Sequence, residues 1–464
     1  ILGAYAGRML QASKRLIAIG YESAYQTPTG YQVAIGHAAL RNPTTAVENL
    51  AVGYLALNGA GSSTSNYNTA VGNLTLVNVT NAERNTAVGY NALNDVTTGD
   101  DNVAVGIYAG DAITEAGDNV LVGKEAGTAL TTGPQNVFVG SEAGESAVGA
   151  GYNIAIGSDA YKTAVTGNYN IAIGKNAMNN GLVTANFALG IGYEALKNLT
   201  SAGATLAIGA YAGRNHTTGS DNVYIGHNAG SGSTSAGSNV AIGKDALMAV
   251  QDSTNGGLNT AVGQGAAVDT TGMRNTMLGY KAGYTSTSAN SNVAIGYEAG
   301  YKNTTGDSNV FIGNKAGPSS TSTASNELYI HNNEGTPLIG GDFSAGTVTI
   351  NGVLSATAKS FNIEHPLYKD KRLVHGSLEG PEHGIYIRGT IEASKGCEIE
   401  LPDYWQAMCD EYTVQLTPHG PYTVFIQEKH KDKVMIASSS QDYKFDYFIV
   451  GKRTDEEFEV VQDA

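Results

Sequence analysis

A short phrase recurs about every 17 residues from the first residue of this chain to roughly residue 317, and NTAVGYNAL, from Asn85 to Leu93, is a representative copy. A unit this short cannot bury a core of its own, so the period predicts a stack of small coils that share one core. The glycine of each copy marks nineteen coils, from Gly3 and Gly20 through Gly89 and Gly192 to Gly313. Seventeen residues are too few for a helical hairpin. Four alternating residues followed by a glycine predict a short strand that ends in a tight turn.

The residue before the marker is always aliphatic, as at Val88, Val105, Val122, Ile156 and Ile173. This column is the expected interior ladder of the coils. One position earlier stands Ala in most copies, but Leu121, Phe138, Tyr224, Met277 or Phe311 in others. That column is expected on the other side of the strand, in a different and roomier environment. Two apolar faces then imply a coil packed against neighbouring chains. The motif opens with Asn in fourteen of the eighteen copies from Gly20 onward, the exceptions being Leu16, Gln32, Ala188 and Thr205. Stacked Asn amides are expected to bond from coil to coil and to the turn backbone. The marker glycines are expected to supply a positive φ or a close approach. Segments such as TTGDD and TTGPQ between motifs read as solvent-facing turns. At ~4.8 Å per coil the stack would be a rod of roughly 90 Å.

On these residues the chain resembles the head repeat of the YadA-type trimeric adhesins, which also occurs in fibres of tailed bacteriophages. The resemblance covers about two thirds of the sequence. It implies a left-handed parallel β-roll, a β-solenoid, with three chains side by side about a threefold axis. The insertions before Gly192 and Gly263, and the lost Asn at Ala188 and Thr205, depart from the pattern, and the coils are expected to bulge there.

Composition shifts near Lys359. The last 106 positions hold 31 of the 69 charged residues and only 7 of the 60 glycines. We therefore expect three parts: a repeat shaft over 1–317, a neck over 318–358 and a C-terminal domain over 359–464. The net charge of −15 is spread over both ends and argues against nucleic acid as a partner. No apolar run approaches the ~20 residues of a membrane span, and no signal peptide is visible. The chain begins with Ile1 inside a repeat, so an upstream part is expected. Cys397 and Cys409 are the two cysteines. A disulfide between them is possible, although two reduced thiols are the expectation.

The neck keeps strand-like alternation at Leu328 to Ile330 and Val348 to Ile350 and abandons the period. It resembles stretches that join shaft to tip in phage fibres. Beyond it, alternating runs at Cys397 to Leu401, Tyr412 to Leu416, Tyr422 to Gln427, Lys433 to Ala437 and Phe445 to Val450, separated by turn signals, predict an antiparallel sandwich or barrel. Phe361 to Pro366, Leu378 to Gly389 (LEGPEHGIYIRG) and Glu400 to Trp405 (ELPDYW) resemble a C-terminal domain of phage tail and baseplate fibres. That resemblance implies a place at the fibre end.

Chemistry is not expected. Gly190 and Gly192 lack the helix and the full fingerprint of a phosphate loop. His365, His375 and His383, with Glu379 and Glu382, match no metal-ligand spacing. The same two glutamates flank Gly380 and Pro381 and read as turn formers rather than as a glycosidase pair. Lys359 and Ser360 are adjacent, and so on opposite faces of a strand, unlike the Ser and Lys of a self-cleaving fibre chaperone. We expect no enzyme activity, no cofactor and no metal.

The aromatics Tyr368, Tyr386, Tyr404, Trp405, Tyr412 and Tyr422 are the candidate receptor contacts, since exposed rings stack on sugars. Trp405 could instead fill the core. The expected protein is an all-β homotrimeric tail fibre of a virion that attaches a phage to bacterial surface carbohydrate or protein, with other tail or baseplate proteins as partners. Alternatives are a structural spacer of the virion without receptor binding and a bacterial trimeric surface adhesin, whose membrane-anchoring barrel strand the charged end RTDEEFEVVQDA does not suit. An ice-binding solenoid would need a flat Thr array, whereas the threonines read as lying in irregular turns.

Overall fold

The computed structural model describes residues 1–9, 15–26, 30–42, 45–59, 64–249, 257–354, 360–364, 371–376 and 384–454. It divides into two compact units, Ile1–Val353 and Leu354–Ala464. Among the described residues the only helix is the single turn Trp405–Met408.

The first unit is a β-solenoid. Eighteen short strands, from Arg15–Ile19 to Val310–Ile312, lie parallel, each paired with the next in one continuous sheet. Most are three residues long, and marker-equivalent residues face one another, as Val120, Leu121 and Val122 face Val137, Phe138 and Val139. The rest of each coil, where it is described, is turn and bend. It is held to the next coil by backbone bonds such as Gly110 N–H to Ala126 O at 2.9 Å.

The marker glycines serve both roles expected of them. Their φ values run from +122° to +146°, where L residues rarely sit, and a Cβ at Gly123 would stand 2.2 Å from the carbonyl oxygen of Gly140. A side chain on any such glycine would enter the backbone of the next coil.

The burial of the strand is the reverse of the sequence expectation. The Ala column is fully buried, as at Ala87, Ala104, Leu121 and Phe138, whereas the column before the marker faces outward, with Val105 37% and Ile156 39% exposed. Alternation decides this. With strands of three residues, only the middle side chain points into the coil, and the two flanking β-branched residues must point out. The occasional large residues are therefore interior, and the volume they take is removed elsewhere in the same cross-section. Where the strand carries Ala87, the residue four beyond the marker is buried Leu93; where it carries Phe138 or Tyr224, that residue is Gly144 or Gly230. A Cβ at Gly144 would lie 2.5 Å from the Phe138 ring, and one at Gly230 would lie 2.3 Å from the Tyr224 ring.

The Asn column forms the expected ladder. Asn102 Nδ2 donates to Ala116 O at 2.9 Å, while its Oδ1 accepts the backbone N–H of Asn119 at 3.1 Å and the Asn119 amide at 3.0 Å. The Asn102 amide thus has its partners, as a buried polar group requires, and the pattern repeats at Asn119, Asn136 and Asn153. At Ala188 and Thr205 the strands nevertheless stay paired, Ile171 with Leu189 and Leu189 with Leu206. The expected bulge is absent from the sheet because the extra residue is taken up in the turn.

The threonines are also more regular than expected. Thr80, Thr97, Thr114 and Thr131 form a column in which each hydroxyl donates to the backbone carbonyl at the same place on the next coil, at 2.9 to 3.5 Å. Their hydrogens are committed to coil-to-coil bonds.

One interior column changes character along the rod. Val79, Val96, Ile113, Leu130, Val183 and Leu199 give way to His216, Ser233, Thr270, Ser286 and Asn303, all buried. His216 Nε2 donates to the Gly219 carbonyl, Asn222 Nδ2 lies 3.4 Å from the same nitrogen, and the Tyr224 ring meets the imidazole edge to face at 5.6 Å. Its Nδ1 has no partner. Burial holds its pKa below the ordinary value. Below about pH 6.5 the unfolded chain therefore takes up a proton that the folded coil resists, and stability falls as pH drops from there toward the folded pKa. We expect amides of the coils around Gly209 and Gly226 to exchange faster at pH 5 than at pH 7.5 after correction for intrinsic rates. His216→Leu, which copies Leu199, should remove that difference, and an unchanged pH response in the variant would assign it to another group.

The stack ends in an antiparallel meander. Glu327–Ile330 pairs parallel with the last coil, Ile339–Asp342 pairs antiparallel with it, and Thr347–Ile350 with that.

The second unit holds two three-stranded antiparallel sheets, with the two-stranded Ser360–Glu364 and Arg372–Gly376 pair besides. In the first sheet Asp442–Arg453 is central, between Gly384–Ser394 and Cys409–Pro418. In the second Lys433–Ser438 is central, between Cys397–Glu400 and Val424–Lys429. One core draws on both: Ile385, Phe445 and Ile449 from the first, Ile399, Val434 and Ile436 from the second, and Trp405 and Met408 from the helical turn. Cys397 and Cys409 are not joined in a disulfide.

Candidate binding surfaces

Two outward faces stand out. On the solenoid it is the pair of columns that flank the interior residue. Val103, Val120, Val137, Ile154 and Ile171 form one, and Val105, Val122, Val139, Ile156 and Ile173 the other, partly exposed on coil after coil. A continuous apolar ribbon of this length exceeds what a soluble surface normally leaves uncovered.

A second exposed feature of the solenoid is the ring stack Tyr152, Tyr169 and Phe187, with centroids 4.9 and 5.3 Å apart and planes within 14° of parallel. Its ring faces cover one another. Only edges and the two end faces remain for a ligand, so the stack chiefly ties three coils together.

In the second unit the structure disperses the aromatic set. Trp405 is 1% exposed and fills the core. Tyr412 packs edge-on against it at 6.1 Å and donates its hydroxyl hydrogen to His430 O at 2.6 Å, with Lys429 Nζ 4.4 Å from its ring centre. The Tyr422 hydroxyl donates to Lys444 O and accepts from Lys444 N–H, at 2.8 and 2.7 Å. Tyr404 is half-buried at the core edge, and burial raises its pKa. Tyr386, 42% exposed, is the one described member that offers much of its ring. Tyr368, His365, His383, Glu379, Glu382 and Lys359 lie outside the described residues, as does nearly all of the charged C-terminal end. Among the described residues no group of three or more His, Cys, Asp and Glu is placed to hold a metal ion. No described helix is long and apolar enough to cross a membrane.

Tyr386 belongs to a face that counting tyrosines does not reveal. Strand alternation points Ile385, Phe445 and Ile449 into the core and turns Tyr386, Arg388, Thr390, Asp446, Phe448, Gln415 and Thr417 outward. Cross-strand register sets Arg388, Phe448 and Gln415 in one row and Thr390, Asp446 and Thr417 in the next. The Tyr386 and Phe448 rings meet at 5.5 Å. Arg388, Thr390, Gln415, Thr417, Asp446 and Phe448 border a shallow depression of about 460 Å³, and Tyr386 stands beside it against Phe448. Asp446 accepts from the Thr390 hydroxyl at 2.6 Å and lies 3.0 Å from His419 Nε2. The Thr390 bond, then His419, hold its carboxyl below the ordinary carboxylate range. The signal was present in the period-2 text of IYIRGT, TVQLT and KFDYFIV, once the inward face is identified.

The chain matches no family model, no curated protein and no solved structure. Geometry and chemistry alone therefore support a functional reading. What they offer is surfaces: an apolar ribbon along the coils and an aromatic and polar face on the second unit.

Proposed function

We propose that this chain is one subunit of a homotrimeric fibre of the kind carried by bacteriophage tails, in which the solenoid is the shaft and the C-terminal unit contacts the bacterial surface. The observation that carries the proposal is the outward ribbon of Val and Ile. Association would remove it from water at about 25 cal/mol per Å² of apolar area, and the same two columns on every coil can meet the same columns on sister chains. Display on three tips allows each contact to be weak, since the second and third form at high effective concentration. In this reading the chain performs no chemistry, and other tail or baseplate proteins hold its far end.

Sedimentation equilibrium of the full chain should return about three times the 48.0 kDa subunit mass. Replacing Val139, Ile156 and Ile173 by Ser should shift that mass toward the monomer while the far-UV signal is kept. A monomeric parent protein would sink the proposal. The rival role of virion spacer draws support from Trp405, Tyr412 and Tyr422, whose rings and hydroxyls are engaged within the unit. Fluorescently labelled full chain that binds susceptible bacteria decides for attachment; failure to bind any decides for the spacer.

A further inference from the structure

We propose that the outer face of the sheet formed by Gly384–Ser394, Asp442–Arg453 and Cys409–Pro418 binds a saccharide that bears a carboxylate, an inference that rests on the C-terminal unit being the host-contacting end. A sugar site needs an apolar plane for the C–H face of the ring and hydrogen-bonding groups at its edge. Phe448 supplies the plane on the central strand, extended by the Tyr386 ring at 5.5 Å. Arg388 and Gln415 are its direct neighbours on the two flanking strands. Such neighbours stand about 5 Å away, so a pyranose seated on Phe448 has a guanidinium at one edge and an amide at the other. The following row adds the Thr417 hydroxyl beside Asp446.

Charge then selects the class of sugar. Asp446 is met by Thr390 and His419, and Lys444 is paired with Glu392. Arg388, between them and the aromatic rings, has no ion-pair partner among the described residues. Its planar fork of donors fits a carboxylate with two parallel bonds, a fit that a hydroxyl cannot offer. The net charge of −15 repels long polyanions, but that repulsion is screened beyond about 8 Å at physiological salt. One acidic group per site is therefore the matching ligand, with three sites per fibre making up for modest affinity.

The test uses the full chain and two immobilised probes, a single galacturonate residue tethered through its anomeric oxygen and the methyl ester of the same residue, with binding read by interferometry. The free acid should bind at least about tenfold more tightly than the ester. Arg388→Gln should bring the acid down to the level of the ester and leave the ester unchanged, and Phe448→Ala should weaken both. Should Phe448→Ala fail to fold, Phe448→Leu removes the ring and keeps an apolar side chain. Equal binding of acid and ester, no binding of either, or binding indifferent to Arg388 would overturn the inference. So would inorganic phosphate competing better than free galacturonate, which would name phosphate as the anion. Bacteria labelled equally by parent and Arg388→Gln protein would overturn it while leaving the fibre reading intact. A chain that binds the acid through Arg388 but labels no bacteria would do the reverse.

Discussion

Gly123→Ala should open the solenoid locally, and amides in the coils on either side of the substitution should lose about 3 kcal/mol or more of protection, equivalent to roughly hundredfold faster exchange. Two causes act together. At φ +145° an L residue is strained by about 1–3 kcal/mol, and the new methyl would stand 2.2 Å from the Gly140 carbonyl oxygen. That oxygen is backbone of the next coil, so relief requires the coils to separate. Stability in a stack is a sum of coil and neighbour terms, so the loss should be confined to a few coils and distant ones should keep their protection. Gly149→Ala is the matched control. Its nearest neighbour would be the Thr132 hydroxyl at 3.9 Å, and its φ is not in the left-handed region. Hydrogen exchange followed by mass spectrometry separates the two. Equal behaviour of Gly123→Ala and Gly149→Ala would refute the close-approach argument.

Phe138→Ala should cost about 3–5 kcal/mol in its coil, the usual range for deleting a buried ring, and adding Gly144→Leu should restore more than half of that. The expectation follows from the space that the two positions share. Ala87 is accompanied by Leu93 at φ +49°, and Phe138 by Gly144 at φ +62°, so the double variant turns one kind of coil into the other with the backbone already in place. Gly144→Leu alone should be strongly destabilising, because even its Cβ would lie 2.5 Å from the Phe138 ring. The coupling between the two substitutions, read from a double-mutant cycle in local exchange, should therefore be of opposite sign to the single effects and exceed 2 kcal/mol in size, on the order expected for residues in direct contact. Additive behaviour would show that the two positions do not share one space.

Much of the second unit was legible as strands. The runs at Lys433 to Ala437 and Phe445 to Val450 lie within Lys433–Ser438 and Asp442–Arg453. The helical turn at Trp405 was not, since four residues are too few to show a period. The candidate site was hidden for a different reason. Residue type alone does not distinguish Tyr386, which points outward, from Tyr412 and Tyr422, whose hydroxyls are bound to backbone. Arg388, Gln415 and Phe448 come from three strands separated by up to 60 positions, and only sheet register brings them into one row.

From the residues alone one learns that the chain is a stack of coils, that its Asn column bonds from coil to coil and that its marker positions admit only glycine. These are local or strictly periodic properties, and a 17-residue period carries them in plain text. Which side of each strand is interior was a tertiary decision. Val and Ala are both apolar, and hydrophobicity alone favours burying the larger one. In the closed coil the middle strand residue and the residue four beyond the marker share one space, so a large side chain at one is met by a small residue at the other, Leu93 with Ala87 in one coil and Phe138 with Gly144 in another, and the β-branched pair is left facing out. That reversal is what creates the uncovered ribbon.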